Sequence, residues 1–420
     1  MFRKTTLQNG LRVVTEKLEG TKAVTVLVLV GAGSRYENRK LRGISHFLEH
    51  MFFKGGDRFK NTKEVSEAID SIGGEFNAFT GKEYAGYYVK VACANAEVAC
   101  DVLGDMLLNA RFEEKEIEKE RGVILEEYNM YQDTPMYQIG WNFESLVFGD
   151  QPLGWDQIGT KELIRTVQHE DFVKHKEGLY TPDNTVVAVV GNIDHNDAVD
   201  LVSKYFGELG GRKVFDFEPL KDMNGGRVSL KEKKTEQAHI ALGFPSYPEG
   251  HEDHWTLKIL AAILGGNMSS RMFLGVREAK GLTYYIHTST DNYSDGGAIV
   301  TNAGVDLKRI EIAIEAIIKE YEGVLSEEIS SVELKKAKEF LKGKMTLRLE
   351  DSEEYAHLLA KYELLRGGSK NPDEIIKLVD SVGVSDVHRV AKDLFVEQNI
   401  KLAIIGPYKD EKKLEELLKF

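Results

Sequence analysis

Two apolar runs, Asn184-Thr-Val-Val-Ala-Val-Val-Gly191 and Asn399-Ile-Lys-Leu-Ala-Ile-Ile-Gly406, each read as a buried strand closed by glycine. They lie 215 positions apart (399 − 184 = 215). The offset persists upstream without a gap, pairing Val167 with Val382, Asp171 with Asp386, Leu179 with Leu394 and Tyr180 with Phe395. Each strand follows a short helical pattern that Asp171 or Asp386 can start. Earlier parts correspond more loosely. Residues 24–30 and 239–244 are apolar strands, each followed by a polar loop and a helix. Tyr87-Tyr88-Val89-Lys90-Val91 and Tyr284-Tyr285-Ile286-His287 supply a further pair of strands. The pattern predicts a duplicated α+β chain of two similar domains. Gly210-Gly211, Pro219 and Asn224-Gly225-Gly226 mark the connection. The expected boundaries are 1–208, a linker at 209–228, and 229–420.

Composition narrows the function classes. The 420 residues are 42% hydrophobic and 29% charged, which excludes disordered and collagen-like chains. Lys and Arg number 55 against 68 Asp and Glu, and a net charge of −13 argues against nucleic acid as a partner. Cys93 and Cys100 cannot build a disulfide framework and form no Cys-x-x-Cys pair. The run at 24–30 is far short of the roughly 20 residues of a membrane helix. The first ten residues carry no apolar signal core. The expectation is a soluble cytoplasmic protein with no membrane partner.

The chemistry lies in Gly43-Ile44-Ser45-His46-Phe47-Leu48-Glu49-His50-Met51-Phe52-Phe53. Ile44, Phe47, Leu48 and Met51 form an apolar helical stripe. His46 and His50, four residues apart, project from the adjoining face, about 40° from each other around the helix. Two imidazoles so placed can grip one zinc ion at roughly 2.0–2.1 Å. Glu49 stands beside them, placed to take a proton from a water without binding the metal itself. The spacing His-x-x-Glu-His is the inverzincin signature. Such a site needs a third protein ligand. Downstream, residues 113–131 read as a charged helix, with Ile117, Ile124, Tyr128 and Tyr131 as its apolar stripe. Glu120 and Glu127 share one face, two turns apart.

Here the sequence resembles the pitrilysin–insulinase inverzincins, in the short-chain branch of mitochondrial processing peptidase. In that family the third ligand is a Glu about 76 residues beyond the second His, and His50 plus 77 is Glu127. The context Glu120-Arg121-Gly122-Val123-Ile124-Leu125-Glu126-Glu127 also resembles the family's segment. The resemblance makes Glu120 a carboxylate that orients a ligand histidine. Glu126 competes for the third ligand, but points about 100° away from the shared face. Gly73-Gly74-Glu75-Phe76-Asn77-Ala78-Phe79-Thr80 resembles the family's active-site edge strand, where Asn77, Ala78 and Phe79 would align a substrate backbone. Arg277 and Tyr284 resemble the family's Arg/Tyr pair, implying that Arg277 holds a substrate carbonyl and Tyr284 steadies the oxyanion.

The resemblance implies two mainly antiparallel sheets flanked by helices, forming one half-shell of a clam-shell chamber. It implies a zinc endopeptidase acting on extended or unfolded peptides, with one Zn2+ per chain. Only the first half carries the metal motif; where the metal helix of the second should lie, His254-Trp255-Thr256-Leu257-Lys258-Ile259-Leu260 carries only scattered polar groups. Both the zinc set and the Arg/Tyr pair are on this chain, so a homodimer is expected, with Arg277 and Tyr284 acting across the interface. A heterodimer with an inactive relative is the alternative assembly. A non-catalytic partner subunit or peptide-binding module is the alternative function. His251 and His254, three apart, are expected on a surface loop after Pro248-Glu249-Gly250.

Overall fold

The computed structural model describes residues 2–221, 226–326 and 329–420. Asn224 and Gly225 of the expected linker lie outside the described residues. Among those described, strands form two sheets. The first contains β1 (Arg3–Thr6), β2 (Arg12–Lys17), β3 (Ala23–Val30), β4 (Glu75–Thr80), β5 (Ala85–Ala92) and β6 (Thr185–Gly191), in the order β1-β2-β6-β3-β5-β4. The second contains β7 (Val228–Glu232), β8 (Ala238–Ser246), β9 (Thr283–Asn292), β10 (Gly297–Val305) and β11 (Lys401–Gly406), in the order β7-β11-β8-β10-β9. Pairing is antiparallel except for β2 with β6 and β7 with β11. Two mainly antiparallel sheets flanked by helices are what the resemblance implied.

Topology corrects one correspondence. Both β5 and β10 lie beside the central strand of their sheet, whereas β4 and β9 form the outer edge. Tyr284 on β9 therefore matches the Glu75–Thr80 edge strand, and not the Tyr87-Tyr88 strand with which its tyrosines suggested pairing. Similar residues within one hairpin misled the comparison.

Central strands such as β3 and β6 are buried along nearly their whole length, so both faces of each sheet need a cover. On one face of the first sheet lie the helices Ile44–Phe52, Ala96–Leu108 and His169–Leu179. Phe52 packs edge-on against Tyr87, and Phe47 against Phe172. The opposite face is covered by the helix Ser352–Arg366, whose Ala356, Leu359 and Ala360 pack with Leu27, Leu29, Val186 and Ala188. The second sheet shows the reciprocal arrangement. Its cover is the helix Pro135–Phe148, whose Ile139, Phe143 and Val147 pack with Ala241, Val300, Ala403 and Ile405.

Each repeat of the sequence thus lends one helix to the other repeat's sheet. The chain accordingly groups into two compact units of three segments each. One comprises Met1–Asn129, Asp156–Glu218 and Thr346–Pro372; the other comprises Met130–Trp155, Pro219–Met345 and Asp373–Phe420. Among the described residues, no helix is long and apolar enough to cross a membrane.

Candidate metal centre

The helix Ile44–Phe52 starts from Gly43, whose φ of 101° belongs to the left-handed region. A Cβ at this position would also come within 2.6 Å of the Ile158 carbonyl oxygen. The first N–H groups of the helix find a partner in Glu37. Its carboxylate accepts from Gly43 N at 2.7 Å and Ser45 N at 2.9 Å. Burial pushes the Glu37 carboxyl up to about 8, against the pull of these two backbone bonds. Ser45 also meets His175, at 3.1 Å between Oγ and Nε2. Burial alone pushes His175 down to about 4, so its imidazole stays neutral. Ile44, Phe47, Leu48 and Met51 are buried, the stripe expected from their spacing. His46, Glu49 and His50 are left half-buried on the adjoining face.

The expected charged helix is observed over Glu114–Asp133, and Pro135 begins the next one. It is anchored by Arg121, whose guanidinium donates to the carbonyl oxygens of Ile164, at 2.6 Å, and Val167. Ile117 and Ile124 are buried, Glu126 is exposed, and Glu127 turns inward. The inward turn brings Glu127 Oε1 to 3.6 Å from His46 Nε2, and Oε2 to 3.4 Å from His50 Nε2. One donor atom from each of His46, His50 and Glu127 lies within 4.8 Å of the others, a spacing that suits one small cation. The two imidazole centroids are 4.7 Å apart.

Behind this trio, Glu120 Oε1 meets His50 Nδ1 at 2.8 Å and is itself only 5% exposed. Its other oxygen accepts from Lys54 Nζ at 2.5 Å. Burial works against charge on Glu120, but the bonds from His50 and Lys54 outweigh it and hold the carboxyl below its ordinary value. For Glu127, too, burial opposes ionisation, and the His46 and His50 contacts overcome it, leaving the carboxyl well below the usual range. His50 shows the complement. Burial disfavours its charge, yet Glu120 and Glu127 raise it to about 9. The same field that attracts a proton there would attract a cation. Because Nδ1 of His50 faces Glu120, its Nε2 is the nitrogen turned toward the trio. Two imidazoles, one carboxylate and an orienting carboxylate form a donor set suited to zinc.

Glu49 reaches a different neighbour. Its Oε2 accepts a hydrogen bond from the hydroxyl of Thr80, the last residue of β4. Nothing in the sequence signalled this bond or the part played by Lys54, although Lys54 lies four residues after His50. The strand holding Asn77, Ala78 and Phe79 is an edge strand, as the resemblance implied. Asn77 is exposed, and its Oδ1 accepts from the Ala78 backbone N–H at 2.9 Å. That N–H therefore points away from β5.

The remaining expected residues lie in the other compact unit. Arg277 belongs to the π-helical turn Phe273–Glu278, with its guanidinium 4.7 Å from the Phe273 ring centroid. Tyr284 is the second residue of β9 and is 75% exposed. Of the histidine pair expected on a surface loop, only His251 lies in one. His254 is buried and begins the helix His254–Gly265, while His251 stacks on Tyr247 at 4.0 Å between centroids. The apolar run after His254 draws the helix start, and with it the histidine, into the core.

Comparison with known proteins identifies the family. Residues 12–160 match the family model described as insulinase (peptidase family M16), and residues 166–341 match the peptidase M16 inactive domain. A protein of Bacillus subtilis named as an uncharacterized zinc protease is 37% identical, covering 97% of this chain and 98% of its own. One of Mycobacterium leprae with the same description is 36% identical, covering 99% and 94%. Among solved structures, a protease from Helicobacter pylori has a TM-score of 0.89 at 25% identity, covering 97% of this chain and all of its own. A chain of Complex III2 from Candida albicans has a TM-score of 0.85 at 20% identity over the full length of both, a likeness of fold. The chain belongs to peptidase family M16, the insulinase family, among relatives named as zinc proteases.

Proposed function

We propose that the protein is a zinc-dependent endopeptidase that cuts extended or unfolded peptides, with one zinc ion per chain held by His46, His50 and Glu127. The observation that carries this reading is the convergence of those three donors, from two helices far apart in sequence, within 4.8 Å. When bound, zinc supplies Lewis acidity, lowering the pKa of a water toward about 7 and polarising a carbonyl.

The chain's own residues do the rest. Glu120 fixes the tautomer and direction of His50 and is partly neutralised by Lys54. Glu49 is the general base: it takes a proton from the attacking water and delivers it to the leaving amine. The bond from Thr80 orients the Glu49 carboxylate and ties it to the end of β4. The substrate adds to the open edge of β4 as a further strand, taking main-chain bonds at Asn77, Ala78 and Phe79. Ala78 N–H leaves Asn77 Oδ1 to do so. Compact proteins offer no free strand for this pairing, so extended segments are selected. Arg277 holds a substrate carbonyl and Tyr284 donates to the developing oxyanion. They act in a homodimer, from one copy toward the zinc set of the other.

The decisive experiment measures zinc content together with cleavage of a quenched peptide, before and after chelation. Hydrolysis that tracks one zinc per chain supports the reading. A zinc-loaded chain that returns every peptide intact would favour a non-catalytic binding role.

A further inference from the structure

Four charged side chains, Arg35, Glu37, Lys82 and Glu83, are buried near the start of the helix Ile44–Phe52, none of them more than 5% exposed. Arg35 pairs with Glu83, and the charge of Lys82 favours ionisation of Glu37. The ring of Phe217 covers the guanidinium of Arg35, with 4.0 Å between Cζ and the centroid. Two positive and two negative groups balance here, yet each gives up its hydration. A buried cluster of this kind gains little stability over apolar side chains of the same volume. What it does supply is direction, because its bonds join two parts of the site.

On one side, the chain at Ser34 and Arg35 is bonded to the turn after β4. Ser34 N donates to the Gly81 carbonyl oxygen at 3.2 Å, and Arg35 N to that of Lys82 at 2.9 Å. Gly33, with a φ of 147°, permits this close approach: a Cβ there would come within 2.5 Å of the Gly81 oxygen. On the other side, the two carboxylate oxygens of Glu37 hold the first turn of Ile44–Phe52, one through Ser45 N and one through Gly43 N. Thr80, which bonds to Glu49, directly precedes Gly81. Residues 34–37 thus grip both the strand end that presents Thr80 and the helix that presents His46, Glu49 and His50. Two N–H groups need two acceptor oxygens, and a glutamine side chain offers one.

Resting on the peptidase reading above, we propose that Glu37 is a positioning residue: it fixes the helix Ile44–Phe52 against the end of β4, and so sets His46, Glu49 and His50 relative to a peptide paired along that strand. It touches neither metal nor substrate. Arg35, locked to Glu83, holds the other end of the same bracket.

The test compares wild type with Glu37→Gln, which keeps the volume and removes one acceptor. Zinc affinity is read by competition with a chelating dye, and kcat and KM on a quenched peptide at saturating zinc. Both are measured well below the variant's melting temperature, where a purely structural role leaves them unmoved. Zinc affinity should fall about tenfold. At saturating zinc, kcat should fall roughly 10–100-fold, the effect of a small misplacement of reacting groups, while KM stays within about threefold. Should Glu37→Gln not fold, Glu37→Asp, which keeps both oxygens one methylene short, is read for the same quantities. A folded variant with unchanged zinc affinity, with unchanged kcat, or with its loss confined to KM overturns the positioning role alone. If wild type binds zinc but cleaves no peptide, the peptidase reading falls, and the two zinc affinities still decide for or against Glu37. A wild type that binds no zinc overturns both.

Discussion

The side chains around His50 divide their work, and single substitutions should separate it. Glu49→Gln keeps the shape but removes the proposed base, so zinc binding should stay within about threefold while kcat falls on the order of 10³-fold. Zinc titration beside turnover checks this; retained turnover at full zinc content would reassign the base. Glu120→Gln leaves the three proposed ligands in place but loosens the orientation of His50. Zinc affinity should drop roughly 10–100-fold, read by competition with a chelating dye, and saturating zinc should restore much of the hydrolysis.

His175 gives a pH test at the same scale. Its folded pKa, about 4, lies below the ordinary 6.5, so both states are neutral above pH 6.5 and the group has no effect there. Between pH 6.5 and 4 the unfolded chain gains a proton that the folded chain refuses, so stability declines as pH falls, by up to ~3 kcal/mol. Metal-free wild type should therefore lose melting temperature faster than metal-free His175→Gln across this range. Parallel curves would show that His175 does not titrate as its burial requires.

At the scale of elements, the edge strand and the exchanged helices matter most. The Ala78 N–H donates to Asn77 Oδ1 and not to β5, so Ala78→Pro removes only that local bond from the fold. Stability should change by less than about 1 kcal/mol. KM for peptides should rise about tenfold, the worth of one or two main-chain bonds. An unchanged KM would remove strand addition at β4 from the mechanism. Leu359 is wholly buried between the helix Ser352–Arg366 and the first sheet. Leu359→Ala should cost about 2–5 kcal/mol in denaturant unfolding, because the rigid sheet cannot close the void.

For the whole molecule, the proposed division of roles between Arg277/Tyr284 and the zinc set across a homodimer predicts complementation. Neither Glu49→Gln nor Tyr284→Phe should turn over well alone. Mixed and allowed to exchange subunits, they should recover roughly a quarter of wild-type activity, since half the dimers are mixed and each restores one site of two. Absence of recovery from an exchanged population would place both sets in one chain or in a heterodimer.

The chain's own order of residues determined its local chemistry and its duplication. Four-residue spacing put His46 and His50 on one face, the stripe of Ile44, Phe47, Leu48 and Met51 turned that face outward, and periodic apolar runs marked the sheets. Such features depend on neighbours within a turn or a strand, where backbone geometry converts spacing directly into direction. The third donor at Glu127 was reachable only through a family spacing. Helix geometry set Glu126 about 100° off the face that Glu127 shares with Glu120; packing then exposed Glu126 and turned Glu127 inward. The contacts of Glu49 with Thr80 and of Glu120 with Lys54, the burial of His254, and the exchange of helices between repeats were settled only in three dimensions. Each joins segments distant along the chain, and the choice among possible partners is made by which apolar faces must be covered at once. The repeat unit of the sequence and the compact unit of the fold differ for that reason: a sheet with two apolar faces needs a second cover, and each repeat's comes from the other.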